Sequence, residues 1–577
     1  MSLNLIKRTV LECVLTYIVF MILSWLIIDR VIIKHSEMIL VSSIVLVISK
    51  YLYENTKKYI IAMIIIIFSI MSPIIIKLLI GENIYLDSIN RYLGFFISIL
   101  NLIFILGYYI KLNHINLIIV SLLLVAIFLP IFTLWGYYFS TSTWLGVDAI
   151  LAIMQTNFNE ALGYLTEHFN IIDSLILFLS IFFIFIWSYF FCSIKKNKHR
   201  KVLTLLLIII DIFLIYKCHF NLITNLYYDT SVYVDKYQEF NKNKELRKEQ
   251  IDKNFVIENK DNKGIFVLVI GESQNKNHFS RYGYQRETTP WLDSMKSKNM
   301  LIFDKAYACY THTVPALTYA LTAKNQYNDL VLEKSVSLLE VAEKAGFETV
   351  WISNQVQYGA FDTPISIIAD EANQQKWINN TVGAKVDINF YDEKLVEEID
   401  NINITDKMLI VIHLMGSHAP YEDRYPSNFA KFGIVNKVDR YDNSILYTDY
   451  VMSLIFEKVK NMPNFKGMIY FSDHSEAVDQ GLEHDANNFV YDMVEIPMYI
   501  YLSDEYIQSY SNKFDNIQKA QKYLFTNDLI FNTVLGVMDI NIENMYEVEN
   551  DITNKKYDYK SNRFKTMYNK KDIIVSN

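Results

Sequence analysis

Cysteine is scarce in this 577-residue chain: Cys13, Cys192, Cys218 and Cys309 are all it has. Three of them fall in or beside apolar stretches, so neither a disulfide framework nor a CxxC zinc site can be built from the set. The compartment must therefore be argued from topology. A basic excess is missing too, since the net charge is -8, and this gives no support to nucleic-acid binding. The first apolar run lacks a small-residue cleavage site and is followed by further apolar runs, which excludes a removable signal peptide. Apolar residues, by contrast, are abundant. They make up 52% of the chain, concentrated in its first 220 residues, and point to a membrane part. The length also exceeds the roughly 50–250 residues of one ordinary domain.

Runs of about 20 apolar residues are long enough to cross a bilayer. Seven are expected, at 9–29, 37–53, 59–80, 93–110, 115–135, 172–194 and 201–219, the last containing Asp211. Lys7 and Arg8, then Lys50, Lys57 and Lys58, then "KKNKHRK" at 195–201 fall on one side of a seven-span arrangement. By the positive-inside rule that side is cytoplasmic. The polar half then lies outside, as does a loop at 136–171. That loop contains "LAIMQTNFNEALGYLTEHF", an amphipathic pattern in which Thr156 and Glu160 share a helix face. One reading is a helix lying in the interface. The other is a polar face that reaches a site in the exterior domain. The expected division is a transmembrane domain at 1–219, an interfacial linker at 220–254 and a catalytic domain at 255–577.

From Gly264 onward, short β-rich runs alternate with helical stretches, which predicts a mostly parallel sheet flanked by helices. The runs are "GIFVLVI" (264–270), "TVWIS" (349–353), "MLIVIHL" (408–414), "GMIYFS" (467–472) and "PMYIYLS" (497–503). Ligands in such sheets bind beyond the carboxyl ends of the strands. Glu272 follows the first run, Asn354 and Gln355 the second, His418 the third, and Asp473 and His474 the fourth, with His484 in the loop beyond. Each alone has a structural explanation, as a helix cap or a satisfied polar group. Together they favour one shared site. Oxygen and imidazole ligands without thiolate suit Zn²⁺ or Mn²⁺. Two carboxylates and one imidazole leave the open position that catalysis needs.

A nucleophile is expected in "AYACYTHTVPALTYALT" (306–322). Thr313 precedes Val-Pro and a helix-like stretch. A hydroxyl there is favoured by the helix end and by a nearby metal. A plain N-cap threonine is the structural alternative, and Thr311 the rival position.

The ordered motifs resemble the alkaline phosphatase and sulfatase superfamily, and within it the membrane-bound phosphoethanolamine transferases. The matching stretches are "VLVIGESQNKNHFSRYGYQRETTPWLDSM" (267–295), "HLMGSHAPYEDRYP" (413–426), "YDNSILYTDYVM" (441–452) and "SDHSEAVDQGLEHD" (472–485), with a counterpart for the "QTNFNEA" loop. The resemblance implies an α-helical polytopic membrane domain joined to an α/β alkaline-phosphatase-like exterior domain. It implies that Glu272, Thr313, Asp473 and His474 bind a primary zinc ion, with room for a second, and that Thr313 is the nucleophile. His418 and His484 match the histidines that contact the phosphate or a further zinc, and Thr156 and Glu160 match residues that hold the ethanolamine head group. Asn354 and Gln355 are expected beside the substrate. The implied donor is phosphatidylethanolamine and the acceptor lipopolysaccharide, at a core sugar or at lipid A. The implied location is the bacterial inner membrane with the catalytic domain in the periplasm.

The departures are specific. The lipid A branch, which includes the transferable enzymes of polymyxin resistance, has several disulfides, whereas Cys309 stands alone. "NQVQYG" (354–359) lacks that branch's lysine, and Lys276 stands where relatives often have arginine. "THTVPALTYALT" is closer to the branch that modifies core sugars. Rival readings are a glycerol-phosphate transferase, a phosphodiester hydrolase and a membrane scaffold with a degenerate enzyme domain. A sulfatase activity is disfavoured because Cys309 is followed by Tyr-Thr-His, which cannot give formylglycine.

Overall fold

A computed structural model describes residues 9, 11–14, 36–79, 86–109, 114–141, 144–155, 171–195, 197, 201–254, 263–355, 364–379 and 390–573. The chain divides into two compact units, one of residues 1–147 with 168–231, the other of residues 148–167 with 232–577.

In the first unit, six of the seven apolar runs are helices: Ser36–Ser49, Thr56–Leu79, Leu86–Tyr109, His114–Thr141, Ile171–Cys192 and Lys201–Lys217. The run at 9–29 lies almost wholly outside the described residues. Among the described residues two helical segments, Thr56–Lys77 and Leu117–Phe139, are long and apolar enough to cross a membrane. The others are shorter in their apolar part, as with Arg91–Leu106. Asp211, unexpected in an apolar helix, is fully buried and accepts a hydrogen bond from Asn101 Nδ2 at 2.5 Å. A buried carboxyl with such a partner is tolerated where a lone one is not. The region read as a linker is helical, at Leu222–Lys242 and Lys244–Asn254.

The second unit is built on a seven-stranded sheet. Its strands are β1 (Gly264–Gly271), β2 (Met300–Ile302), β4 (Glu348–Ser353), β5 (Gln374–Trp377), β6 (Lys407–His413), β7 (Phe465–Ser472) and β8 (Met498–Leu502); β3 (Ala306–Tyr307) pairs separately with β9 (Phe525–Thr526). The order is β2-β8-β7-β1-β6-β4-β5. From β7 to β5 every pairing is parallel. β8 runs antiparallel to β7 and to β2, correcting its expected place among parallel strands. The chain leaves β7 and forms the 473–497 loop, which contains no α-helix of the kind that usually carries a parallel crossover, and returns antiparallel. β2 and β5 were not anticipated. One is three residues long, and the other reads QQKW, too polar for a core strand.

Alternation along the strands divides the core. Phe266, Leu268, Ile270, Leu409, Val411, Ile469 and Phe471 share one face with the helices Leu338–Lys344 and Ile530–Val537. Ile265, Val267, Val269, Ile410 and Ile412 share the other with Ile445, Val451 and Ile455 of the helix Lys437–Val459. Covering both faces is what makes these strands read as continuous apolar runs.

Candidate metal centre and nucleophile

The register of the sheet assembles the site. Ile270 lies opposite His413, and Gly271 opposite Ser472, so β1, β6 and β7 end level with one another. The residues next in sequence, Glu272, Leu414 and Asp473, therefore emerge at one edge. Glu272, Asp473 and His474 offer ligand atoms that all lie within 4.8 Å of one another. His474 Nε2 is 3.3 Å from Glu272 Oε1 and 3.5 Å from Asp473 Oδ2.

Thr313 completes this group. It is the first residue of the helix Thr313–Ala320, with His312 as the extended N-cap, so its hydroxyl is not spent on capping. Thr313 Oγ1 lies 3.1 Å from Glu272 Oε2, to which it donates, and 3.3 Å from His474 Nε2. Thr311 is fully buried, its hydroxyl 2.9 Å from His312 Nδ1.

The donor set fits a divalent cation. Asp473 Oδ1 accepts from the backbone N–H of Ser273 and of His474, at 3.0 and 2.6 Å, whereas the buried Oδ2 has no hydrogen-bond partner. A carboxylate oxygen orphaned in this way is costly unless a cation meets it. His474 Nδ1 donates to the Ser475 carbonyl at 3.1 Å, which leaves Nε2 as the lone-pair nitrogen facing the carboxylates. That second contact orients imidazole ligands in metal sites. Burial pushes Asp473 above its usual range, and the Glu272 charge adds to it. Burial acts the same way on Glu272, but hydrogen bonding and charge from His474 outweigh it and hold Glu272 well below the carboxylate range. His474 is raised: burial opposes its protonation, and the charge of Asp473 with the contacts of Glu272 overcomes this.

Gly416 makes the edge possible. Its φ is +52°, and a Cβ there would stand 2.7 Å from the Glu272 carbonyl oxygen and 2.9 Å from its nitrogen. Asp392 fixes this turn by accepting from the N–H groups of Met415 and Gly416 at 2.8 and 2.9 Å.

The remaining expected residues fall differently. His484 joins the cluster, its ring 4.7 Å from that of His474, with Nδ1 2.8 Å from Glu476 Oε1. Burial lowers its affinity for a proton, but the Glu476 carboxylate prevails and raises it. His418 is half-buried and donates from Nδ1 to the Ala419 carbonyl at 2.8 Å. Gln355 Nε2 bridges the Leu414 carbonyl at 2.8 Å and Glu272 Oε2 at 3.5 Å. Asn354 is fully buried and donates to Asp392 Oδ1 and the Phe390 carbonyl, both at 2.8 Å, so its amide is engaged in support of the Gly416 turn. Thr156 and Glu160 lie outside the described residues.

Several participants had gone unassigned. Ser273 donates to Glu272 Oε1 at 2.8 Å, Asn527 donates to the Asp473 carbonyl at 2.6 Å, and Glu476 orients His484. Glu476 stands within the motif at 472–485, where a His-to-carboxylate pairing was a readable signal. His312 lies 5.0 Å from His484, ring to ring, and is held well below the ordinary imidazole range by burial and by the neighbouring histidines.

Three clustered ligand-type side chains at the edge of a mostly parallel sheet, with a hydroxyl at a helix start beside them, form an alkaline-phosphatase-like arrangement. Residues 265–540 match the model of the Sulfatase family. Over 285 residues the chain is 30% identical to phosphoethanolamine transferase EptC of Escherichia coli K12, covering 45% of this chain and 49% of that protein. It is 27% identical over 331 residues to EptA of the same strain, covering 53% and 58%. The chain thus spans about half the length of the curated relatives it matches. The integral membrane lipooligosaccharide phosphoethanolamine transferase A of Neisseria meningitidis aligns over 89% of this chain and 97% of its own, at TM-score 0.56 and 19% identity, a likeness of fold. The resemblance carried by the ordered motifs is therefore borne out.

Proposed function

We propose that the chain transfers phosphoethanolamine from phosphatidylethanolamine to an envelope glycolipid, a lipopolysaccharide core sugar or lipid A, through a covalent intermediate on Thr313. The observation that carries this reading is the Thr313 hydroxyl, 3.1 Å from Glu272 Oε2 and 3.3 Å from His474 Nε2, both in the cluster whose Asp473 Oδ2 has no hydrogen-bond partner. Glu272, Thr313, Asp473 and His474 would hold Zn²⁺. When bound, zinc lowers the pKa of a ligated hydroxyl and offsets charge on phosphoryl oxygens. In the first step Thr313 Oγ loses its proton and bonds to phosphorus, the bond from phosphorus to the diacylglycerol oxygen breaks, and that oxygen takes up a proton. In the second, an acceptor oxygen gives up its proton, bonds to phosphorus and releases Thr313. His418 and His484 contact the phosphoryl group and move the protons, Nε2 of each being the acceptor nitrogen when neutral. Gln355 steadies Glu272, while Thr156 and Glu160 hold the ethanolamine.

The membrane arrangement belongs to the same proposal. Seven spans within 1–219, a linker at 220–254 and a periplasmic catalytic domain at 255–577 bring a zinc site to the outer face of the inner membrane, where the lipid donor presents its head group. The sequence asymmetry in lysine and arginine supports this orientation.

The test is the mass of the Thr313 peptide after the detergent-solubilised chain meets phosphatidylethanolamine. A phosphoethanolamine adduct, lost in Thr313→Ala, is expected. A glycerol-phosphate adduct formed from phosphatidylglycerol would favour the rival transferase, and an adduct on Thr311 would move the nucleophile.

A further inference from the structure

The loop before the helix Lys437–Val459 carries two large aliphatic side chains that nothing covers. Ile434 is 61% exposed and Val435 90%, side by side at the apex of "KFGIVNK" (431–437). Single exposed aliphatics are ordinary on a protein surface, whereas an adjacent pair held away from the core marks a contact face.

The chain on both sides holds the pair in the open. Asn443, fully buried, accepts from the Phe432 N–H at 2.9 Å and donates to the Gly433 carbonyl at 2.7 Å. Gly433 has φ +94°, which lets the backbone turn there without a Cβ penalty. On the far side Asn436 caps the next helix and accepts from the Asp439 N–H at 2.8 Å. With Phe432, Gly433 and Asn436 fixed, Ile434 and Val435 project as a firm two-residue tip.

The tip is also tied to the site. Lys437, two residues beyond Val435, forms an ion pair with Glu483, the residue before His484. The Glu483 carbonyl accepts from the Ala477 N–H at 2.7 Å and so closes the loop that carries His484. Two residues span at most about 7 Å, so the tip stands close beside that loop.

Charge and area choose the occupant. Arg440 donates to the Ile434 carbonyl and pairs with Glu422 at 3.2 Å. Lys431 pairs with Glu287 at 3.0 Å, and Lys437 with Glu483. A rim of paired charges gives an anionic partner little net attraction and matches a zwitterionic surface. Two aliphatic side chains also fall far short of the ~800 Å² that each partner buries in a stable protein interface. A bilayer requires no such area from a domain tethered to it, because the tether keeps lipid at high effective concentration. Thr56–Lys77 and Leu117–Phe139 are long and apolar enough to be that tether.

We propose that the Ile434–Val435 tip enters the surface layer of a zwitterionic bilayer and sets the loop of His484 at the level of the lipid head groups. The inference rests on the transferase reading and adds how the site meets a donor that stays in the membrane.

A nitroxide at Val435→Cys tests it without turnover, in the full-length chain with its four native cysteines replaced by alanine. The bilayer is phosphatidylethanolamine with phosphatidylcholine. Ile404→Cys is the control. Ile404 is 44% exposed and lies between the start of β6 and Asp400, which pairs with Lys458 in the last turn of the helix Lys437–Val459. At 1.5 Å per residue that end of the helix is about 30 Å from the tip. The label at 435 is expected to lose accessibility to a water-soluble nickel chelate and gain it to oxygen, which dissolves in lipid, while the label at 404 stays open to nickel. Equal nickel accessibility at both positions overturns the proposal. Shielding of 435 from both reagents does so too, because a protein would then cover the tip.

The double variant Ile434→Ser, Val435→Ser reads the consequence. The Thr313 adduct should form about tenfold more slowly from bilayer phosphatidylethanolamine, and within about twofold of wild type from a short-chain, water-soluble phosphatidylethanolamine. An unchanged rate from the bilayer, or equal slowing with both donors, overturns the role of the tip. Absence of the adduct from either donor in the wild type removes the transferase reading, while the label separately judges the membrane contact.

Discussion

Gly416→Ala is the sharpest probe of how the fold serves the site. The substitution puts a methyl group at φ +52°, where a non-glycine residue costs roughly 1–2 kcal/mol. The new Cβ also stands 2.7, 2.9 and 3.1 Å from the Glu272 oxygen, nitrogen and Cβ. Two of those atoms are backbone and cannot rotate away, so the end of β1 must shift, at about 1–3 kcal/mol by analogy with overpacked cores. The sum, about 2–5 kcal/mol, corresponds to a fall in Tm on the order of 4–10 °C for a domain of this size. The displaced residue is a metal ligand in the proposed site, so zinc affinity should drop about 10–100-fold, as for losses of supporting contacts around metals. Gly283→Ala is the control: its φ is +100°, yet nothing lies within 4 Å of the added Cβ, so it carries strain without touching Glu272. Thermal melting and zinc retention against a competing chelator read the two effects. If Gly416→Ala held zinc as tightly as Gly283→Ala, the link from this turn to Glu272 would be refuted.

Three further outcomes are expected. Arg247 is fully buried, its Nε 3.0 Å from Glu340 and its Nη2 2.7 Å from Glu371, with the guanidinium 3.9 Å from the Phe240 ring. Arg247→Ala leaves two buried carboxylates unpaired and should cost about 3–5 kcal/mol in urea unfolding, with helix 244–254 becoming sensitive to protease; unchanged unfolding would show that the helix is not anchored there. Burial pushes Asp449 up to about 7 against the N–H groups of Trp291 and Leu292, which it accepts at 2.7 and 3.1 Å. The folded state then holds this proton more tightly than the unfolded chain, so stability falls as pH rises from about 4 to about 7, at up to about 1.4 kcal/mol per pH unit. Asp449→Asn should remove that slope, and an identical pH profile would contradict the assignment. Cys309 is fully buried and its thiol is raised well above the ordinary range, by burial first and then by the Asp528 charge. It should resist iodoacetamide at pH 8 until the domain is unfolded, and rapid labelling of the native protein would count against this packing.

Much of the site could be read directly from the order of residues. Strand ends in a parallel sheet are places where consecutive residues leave the core together, so Glu272, Asp473 and His474 declared themselves by following apolar runs. Val-Pro and the helical stretch after it singled out Thr313 as a candidate, with Thr311 as its rival, and the structure places the Thr313 hydroxyl beside Glu272 and His474. Apolar runs also located five of the seven strands in the main sheet and six helices of the first unit, but not the helix Leu222–Lys242, which read as a linker. They could not give the direction of β8, because an apolar run has no polarity; the returning loop at 473–497 decided that. They could not mark QQKW as a strand, because edge strands need no apolar pattern once a neighbour supplies the hydrogen bonds.

Tertiary structure alone decided the residues that act by approach. Gly416 matters because Glu272 passes within contact distance of it, and Arg247 because the helix 244–254 packs on Glu340 and Glu371. Tyr568, 255 residues beyond Thr313 in the chain, stands against the helix Thr313–Ala320, where its turn is held by Cys309, Pro315 and Gln326. The sequence by itself determined which chemistry was available, because ligand and nucleophile types are local properties. Which of those groups meet, and what neutralises or orients them, depends on distances between segments remote in the chain, and only the folded structure sets those distances.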